Sequence, residues 1–178
     1  ATDNYGIAHK INSSGVEQWA FNPDDQTGVG AGYTASSPAL SADSSRVYSV
    51  YTDNTERKLW LFSIKTSDGS MDWKYASSED GYNQDLSSPI LDSSGNIYYA
   101  SQQKIYSVSS LGSSRWGDGI NLSTSRLGLK IPAIDNTNGY IYVSGIVTLS
   151  AGDRYIWKLN QSDGSEVWKV NPTGNNNL

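Results

Sequence analysis

Residues 65–75 read KTSDGSMDWKY. A Ser-Asp-Gly turn signal is followed, four residues after its glycine, by a tryptophan that opens an aromatic, strand-like run. Alone, the stretch reads as a hairpin or an acidic metal loop. Nearly the same stretch recurs as NSSGVEQWAF (12–21), in worn form as SLGSSRWGDG (110–119), and as QSDGSEVWKV (161–170). The glycine–tryptophan pairs are Gly15 and Trp19, Gly69 and Trp73, Gly112 and Trp116, and Gly164 and Trp168. A site occurs once; copies spaced by roughly 50 residues are architecture.

Other markers recur in phase. SSPAL (36–40), SSPIL (87–91) and KIPAI (130–134) each precede a β-branched and aromatic run: RVYSVY (46–51), NIYYA (96–100) and YIYVSG (140–145). A further segment closes each unit: KLWLFSI (58–64), KIYSV (104–108) and YIWKL (155–159), with YGIAHKI (5–11) as its N-terminal counterpart. These runs are short, partly alternating and bounded by Gly, Asp, Asn and Ser turns, so each is a strand. The expected fold is all-β: a single domain forming a β-propeller of four-stranded antiparallel blades. Full blades are expected at about 17–65, 71–109 and 114–160, with flanking strands at 5–11 and 166–171. In this phasing the Gly-x-x-x-Trp stretch joins one blade to the next, and its tryptophan fills the seam. The flanking strands supply the first and last strands of a further blade and leave out its middle two, so the ring is unfinished.

Composition agrees with this class. Of 178 residues, 37% are hydrophobic and 17% charged; Tyr (12) and Trp (6) outnumber Phe (2). So many aromatics imply a packed interior rather than disorder. The net charge is −5, and Lys and Arg are scattered singly, which argues against a nucleic-acid backbone or an anionic membrane as partner. The absence of cysteine excludes disulfides, Cys-ligated zinc and thiol catalysis. No apolar run reaches membrane-spanning length, so membrane insertion is not expected. No signal peptide is recognisable and Ala1 is not preceded by Met; the Ser/Asn/Tyr-rich, Lys-poor composition leans toward an extracellular or periplasmic location.

The repeats resemble the quinoprotein-type (PQQ-like) propeller repeat, whose hallmark is approximately A-x-D-x-x-T-G-x-x-x-W. KLNQSDGSEVW (158–168) keeps Asn160 at the Asp position with Gly164 and Trp168; the other three stretches keep their glycine and tryptophan. SSPAL followed by RVYSV is similar to that family's middle strands. Ser14, Asp68, Leu111 and Asp163 replace the Thr, and the Ala is lost. The resemblance spans essentially the whole chain and implies a propeller scaffold. The family's dehydrogenases use a vicinal disulfide, a catalytic Asp and a calcium site in a much longer chain; without cysteine, this chain is placed by the resemblance in the non-enzymatic branch, with no cofactor.

Binding usually resides on long irregular loops held by a rigid scaffold. Those loops carry Asp24, Asp25, Glu79, Asp80, Asp85 and Asp118, hard oxygen donors suited to Ca²⁺ or a basic partner, although no Asp-x-Asp-x-Asp-Gly loop is present. Tyr33 and Tyr82 are candidate stacking platforms for sugars or peptides. Asp68 and Asp163 read as turn residues rather than ligands. His9, the single histidine, falls where Phe62, Tyr106 and Trp157 sit in the other repeats and is expected to pack rather than to act as base or ligand. The functional expectation is a non-enzymatic protein-interaction or structural scaffold that self-assembles or joins a larger propeller. The alternative is an extracellular carbohydrate-binding or adhesive module.

Overall fold

The computed structural model describes residues 1–3, 6–26, 36–53, 58–77, 86–122, 128–146 and 154–172. The chain divides into two compact units, 1–83 and 84–178. In the first unit, β1 (Ala8–Ile11) and β2 (Glu17–Phe21) form sheet 1. Sheet 2 follows from β3 (Ala39–Leu40), β4 (Arg46–Asp53), β5 (Lys58–Lys65) and β6 (Met71–Ala76). In the second unit, β7 (Ile90–Leu91), β8 (Ile97–Ala100), β9 (Lys104–Val108) and β10 (Ile120–Asn121) form sheet 3. Sheet 4 consists of β11 (Ala133–Asp135), β12 (Tyr140–Ile146), β13 (Arg154–Asn160) and β14 (Glu166–Val170). The fold is all-β; each sheet pairs consecutive strands antiparallel and none closes on itself.

The middle strands carry the core. β4 and β5 pair along their whole length, from Arg46 opposite Lys65 to Asp53 opposite Lys58. Val50, Tyr51, Leu59, Leu61, Phe62 and Ile64 on them are buried. Burying each such side chain stabilises the fold by roughly 1.5–3 kcal/mol. Phe62 sits between Phe21 of sheet 1 and Tyr51 of its own sheet, with both ring centroids at 5.3 Å. In the second unit Tyr98, Ile105, Trp116, Ile141, Trp157 and Leu159 form one cluster shared by sheets 3 and 4.

The sheets correct the expected phase of the repeat. Gly-x-x-x-Trp does not join one sheet to the next: its turn lies inside a sheet, linking β5 to β6 and β13 to β14 as hairpins. The repeats expected at 17–65, 71–109 and 114–160 are therefore offset by one strand from the sheets, and the strands expected at 5–11 and 166–171 are not lone flanks. The first becomes β1, paired with the tryptophan strand β2, and the second becomes β14, the fourth strand of sheet 4. The physical reason is reach. A turn of this length spans the spacing of about 4.8 Å between hydrogen-bonded neighbours, whereas the long segments after β2, β6 and β10 run between sheets.

The marker's fixed spacing has a structural cause. A bulge falls at the same place in three sheets, between Lys10 and Ile11, Ser63 and Ile64, and Lys158 and Leu159. Gln18, Asp72 and Val167 are the extra residues opposite these steps, and each bulge turns the next residue, the tryptophan, onto a fixed face. Sheet 3 departs from this. Val108 bridges Ser114, but Ile105 already faces Ile120, so 116–119 loop out around Gly117 and Gly119, both at positive φ.

Candidate functional site

The repeated hairpin turns are built by their acids. Asp68 Oδ1 accepts the Ser70 N–H at 2.9 Å and its hydroxyl at 2.7 Å; Asp163 accepts the same pair from Ser165 at 2.9 and 2.7 Å. Those bonds, the backbone N–H foremost, hold both carboxyls below the usual range. Both are thus turn residues, as expected. The glycines that follow adopt φ of 76° and 75°, the left-handed region in which a Cβ is costly.

These two glycines also receive a tryptophan from the preceding sheet. A Cβ on Gly69 would stand 2.8 Å from Cγ and Cδ2 of Trp19, and one on Gly164 would stand 2.9 Å from Cδ2 of Trp116. Trp19 Nε1 donates to the Thr66 carbonyl at 3.0 Å. In each unit, then, the indole of one sheet packs against the glycine turn of the next. The Gly-x-x-x-Trp tryptophan associated with each four-stranded sheet is braced by a tyrosine from the second strand: Tyr48 on Trp73, Tyr98 on Trp116 and Tyr142 on Trp168, at 5.8, 5.4 and 6.1 Å.

Among the described residues, Gly15 and Trp168 show no such indole–glycine contact. Gly15, at φ 79°, has nothing within 4 Å of its Cβ position. Trp168 is 40% exposed, as are its strand neighbours Val167 and Val170 to a similar extent. The first glycine turn thus carries no indole, and the last indole leaves much of its surface open. Beside Trp19 runs a groove of about 480 Å³ lined by Ala1, Ile11, Trp19, Leu40, Val47 and Thr66. Among the described residues no tyrosine braces Trp19 as Tyr48 braces Trp73; residues 1–3 run alongside β1, where Thr2 bridges Ala8 and the Ala1 ammonium donates to the His9 carbonyl at 3.0 Å.

A second, polar groove in the second unit is a clamp. The buried Asp92 carboxylate accepts bonds from Asn96, from the Tyr98 hydroxyl at 2.9 Å and from Gln161 Nε2 at 2.9 Å. Burial opposes its charge, but the bonds from Asn96, Tyr98 and Gln161 outweigh burial and lower its pKa. Arg115 adds bonds to the Tyr98 hydroxyl at 2.6 Å and Ser107 Oγ at 2.8 Å. This network ties the β7–β8 turn to the β13–β14 turn. Sequence reasoning misses it: the Asp-Ser-Ser-Gly turn is legible, but its partner 69 residues away is not.

The expected site residues are not assembled. Asp24 and Asp25 are exposed on a short 3-10 turn, Pro23–Asp25, capped by Asn22. Asp118 is exposed in the loop before β10, where its carbonyl accepts Lys104 Nζ at 3.2 Å. Tyr33, Glu79, Asp80, Tyr82 and Asp85 lie outside the described residues. Among the described residues, no group of three or more His, Cys, Asp or Glu side chains is placed to hold a metal. His9 occupies the register expected of it, one residue before the partner of the tryptophan, as Phe62 does. It does not simply pack there: Nδ1 lies 2.6 Å from Glu17 and Nε2 3.2 Å from Asp3. With a carboxylate at each ring nitrogen, the imidazolium is favoured and the pKa rises, chiefly through the Glu17 hydrogen bond.

No family model and no curated protein matches the chain. Its fold is similar to that of a crystal structure of a protein of unknown function from Bacteroides caccae, with a TM-score of 0.62 and 15% identity. The alignment covers 95% of this chain and 55% of that one, so this chain spans about half the length of its structural neighbour. At this identity the likeness concerns the fold.

Proposed function

We propose that the chain is a non-enzymatic interaction scaffold of propeller-type blades akin to the quinoprotein-type repeat, working outside the cytoplasm by association with copies of itself or with further blades. The observation that carries this reading is β14: a strand at the edge of a complete sheet with Val167, Trp168 and Val170 each about 40% exposed. β14 interleaves these apolar residues with exposed Glu166 and Lys169; an exposed edge strand offers unpaired backbone groups to a partner, and its exposed apolar side chains add surface that association would bury.

The test is sedimentation equilibrium over a hundredfold range of concentration. The expected outcome is a weight-average mass that rises above 19.3 kDa and falls back when Val167 and Val170 are both replaced by lysine. A mass fixed at the monomer value at every concentration would overturn the self-association reading.

A further inference from the structure

We infer that a second copy of this chain docks head to tail, with its Trp168 lying on the Gly15 turn as Trp19 lies on Gly69. The inference rests on the scaffold reading and names its contact. Both halves are present in the free chain. The receiving half is the Asn12–Gly15 turn, held by Asn12 Oδ1, which accepts the Ser14 and Val16 N–H groups at 2.9 Å each. Gly15 sits at φ 79°, against 76° for Gly69 and 75° for Gly164, and its Cβ position faces open space. The inserting half is Trp168, set by the same bulge as Trp19 and Trp73 and braced by Tyr142 much as Tyr98 braces Trp116, with interplanar angles of 56° and 58°.

The turns set a condition on this docking. In sheets 1 and 3 the glycine N–H closes an i to i−3 bond, Gly15 to Asn12 and Gly112 to Ser109. In sheets 2 and 4 it closes i to i−4, Gly69 to Lys65 and Gly164 to Asn160. The two glycines that receive an indole within their units, Gly69 and Gly164, thus stand on wide turns and Gly15 on a tight one, so the docking requires the tight turn to take the same indole at φ 79°, against 76° and 75°. An isologous pairing of two β14 edges would leave Gly15 uncovered and requires no such match. Head-to-tail contact is heterologous, so it yields a ring where the rotation closes and a filament where it does not.

The experiment uses complementation. A Trp168→Ala chain keeps the receiving turn and loses the inserting indole; a Gly15→Ala chain keeps the indole and places a methyl where it would lie. Val170→Lys and Ser14→Arg, at exposed positions, repeat the two blocks without touching the core. Circular dichroism of each variant checks that it is folded. By multi-angle light scattering at a concentration where the wild type assembles, each single variant is expected to be monomeric. An equimolar mixture of one variant of each kind is expected to form a dimer of twice the monomer mass and nothing larger. Assembly of folded Trp168→Ala and Gly15→Ala chains to the wild-type mass would overturn the head-to-tail contact while leaving the scaffold reading intact. A mixture that stays monomeric would overturn that contact equally. A wild type that never associates would sink the contact together with the self-association it rests on.

Discussion

The packing of Trp19 on Gly69 can be weighed against a control within the same unit. Gly15 and Gly69 close a tight and a wide hairpin turn with similar φ, 79° and 76°, so alanine at either incurs the left-handed penalty, about 1–2 kcal/mol. Only Gly69 faces an indole. Its Cβ would lie 2.8 Å from Cγ and Cδ2 and 3.0 Å from Cβ of Trp19, all close to the backbone, so the side chain cannot swing away without moving β2. Overpacking of this kind costs about 1–3 kcal/mol more. Gly69→Ala should therefore destabilise the first unit by about 2–5 kcal/mol and Gly15→Ala by about 1–2 kcal/mol. The readout is amide hydrogen exchange of β5 and β6 at a dilution where the chain is monomeric, because it reports the opening of this unit by itself. The difference corresponds to roughly 5- to 150-fold faster exchange in Gly69→Ala than in Gly15→Ala. In a Trp19→Ala background the excess should vanish, as a double-mutant cycle demands when the indole is its source. Equal exchange in the two glycine variants, or an excess that survives removal of Trp19, would refute the reasoning.

Raising the pH should loosen residues 1–3 from β1. The His9 pKa is raised by Glu17 and Asp3, so its contribution is fully present below 6.5 and is lost as pH climbs through the higher folded value. Exchange of the Asp3 and Ile7 amides across that range reads this, and Glu17→Gln should shift the midpoint downward. Asp92 works in the opposite direction. Its folded pKa is depressed, so its contribution is present above 3.8 and disappears as pH falls through the lower folded value. Asp92→Asn should cost about 1–3 kcal/mol near neutrality and flatten the acid limb of unfolding of the second unit followed by NMR. The Arg46–Asp72 pair, 2.7 Å apart and partly exposed, should matter little: Arg46→Met should change stability by no more than about 1 kcal/mol in urea denaturation. Trp19→Phe should cost about 0.5–1.5 kcal/mol more than Trp116→Phe through hydrogen bonding alone, because Trp19 Nε1 donates to Thr66 while the buried Trp116 Nε1 has no acceptor among the described residues.

Which strands exist is legible from alternation and punctuation, because both are local. How the strands group is not read correctly from the repeat, although turn length holds the answer. Thr66–Gly69 is too short to leave a sheet, whereas the stretch from Asn22 to Ser36 is long enough to do so. The tryptophans stand out as structural in the sequence and are so in the fold. Their surroundings are not legible, since Gly-x-x-x-Trp is the same string in NSSGVEQW, where the glycine is open, and in TSDGSMDW, where it is covered by an indole. His9 illustrates the same limit. Its register is readable from the repeat, but its two carboxylate neighbours, Asp3 and Glu17, come from either side of β1 and meet only once the strands pair. The clamp at Asp92 depends on Gln161, a contact between turns of different sheets that no local pattern announces.

The alternation of turns decides where a substitution is felt. Tight then wide occurs once in each compact unit, and each unit contains one indole packed on one wide-turn glycine. A methyl at Gly69 or Gly164 therefore presses on a tryptophan of its own unit, and the strain it creates is borne there, so the two positions act as separate local controls on the opening of one unit each.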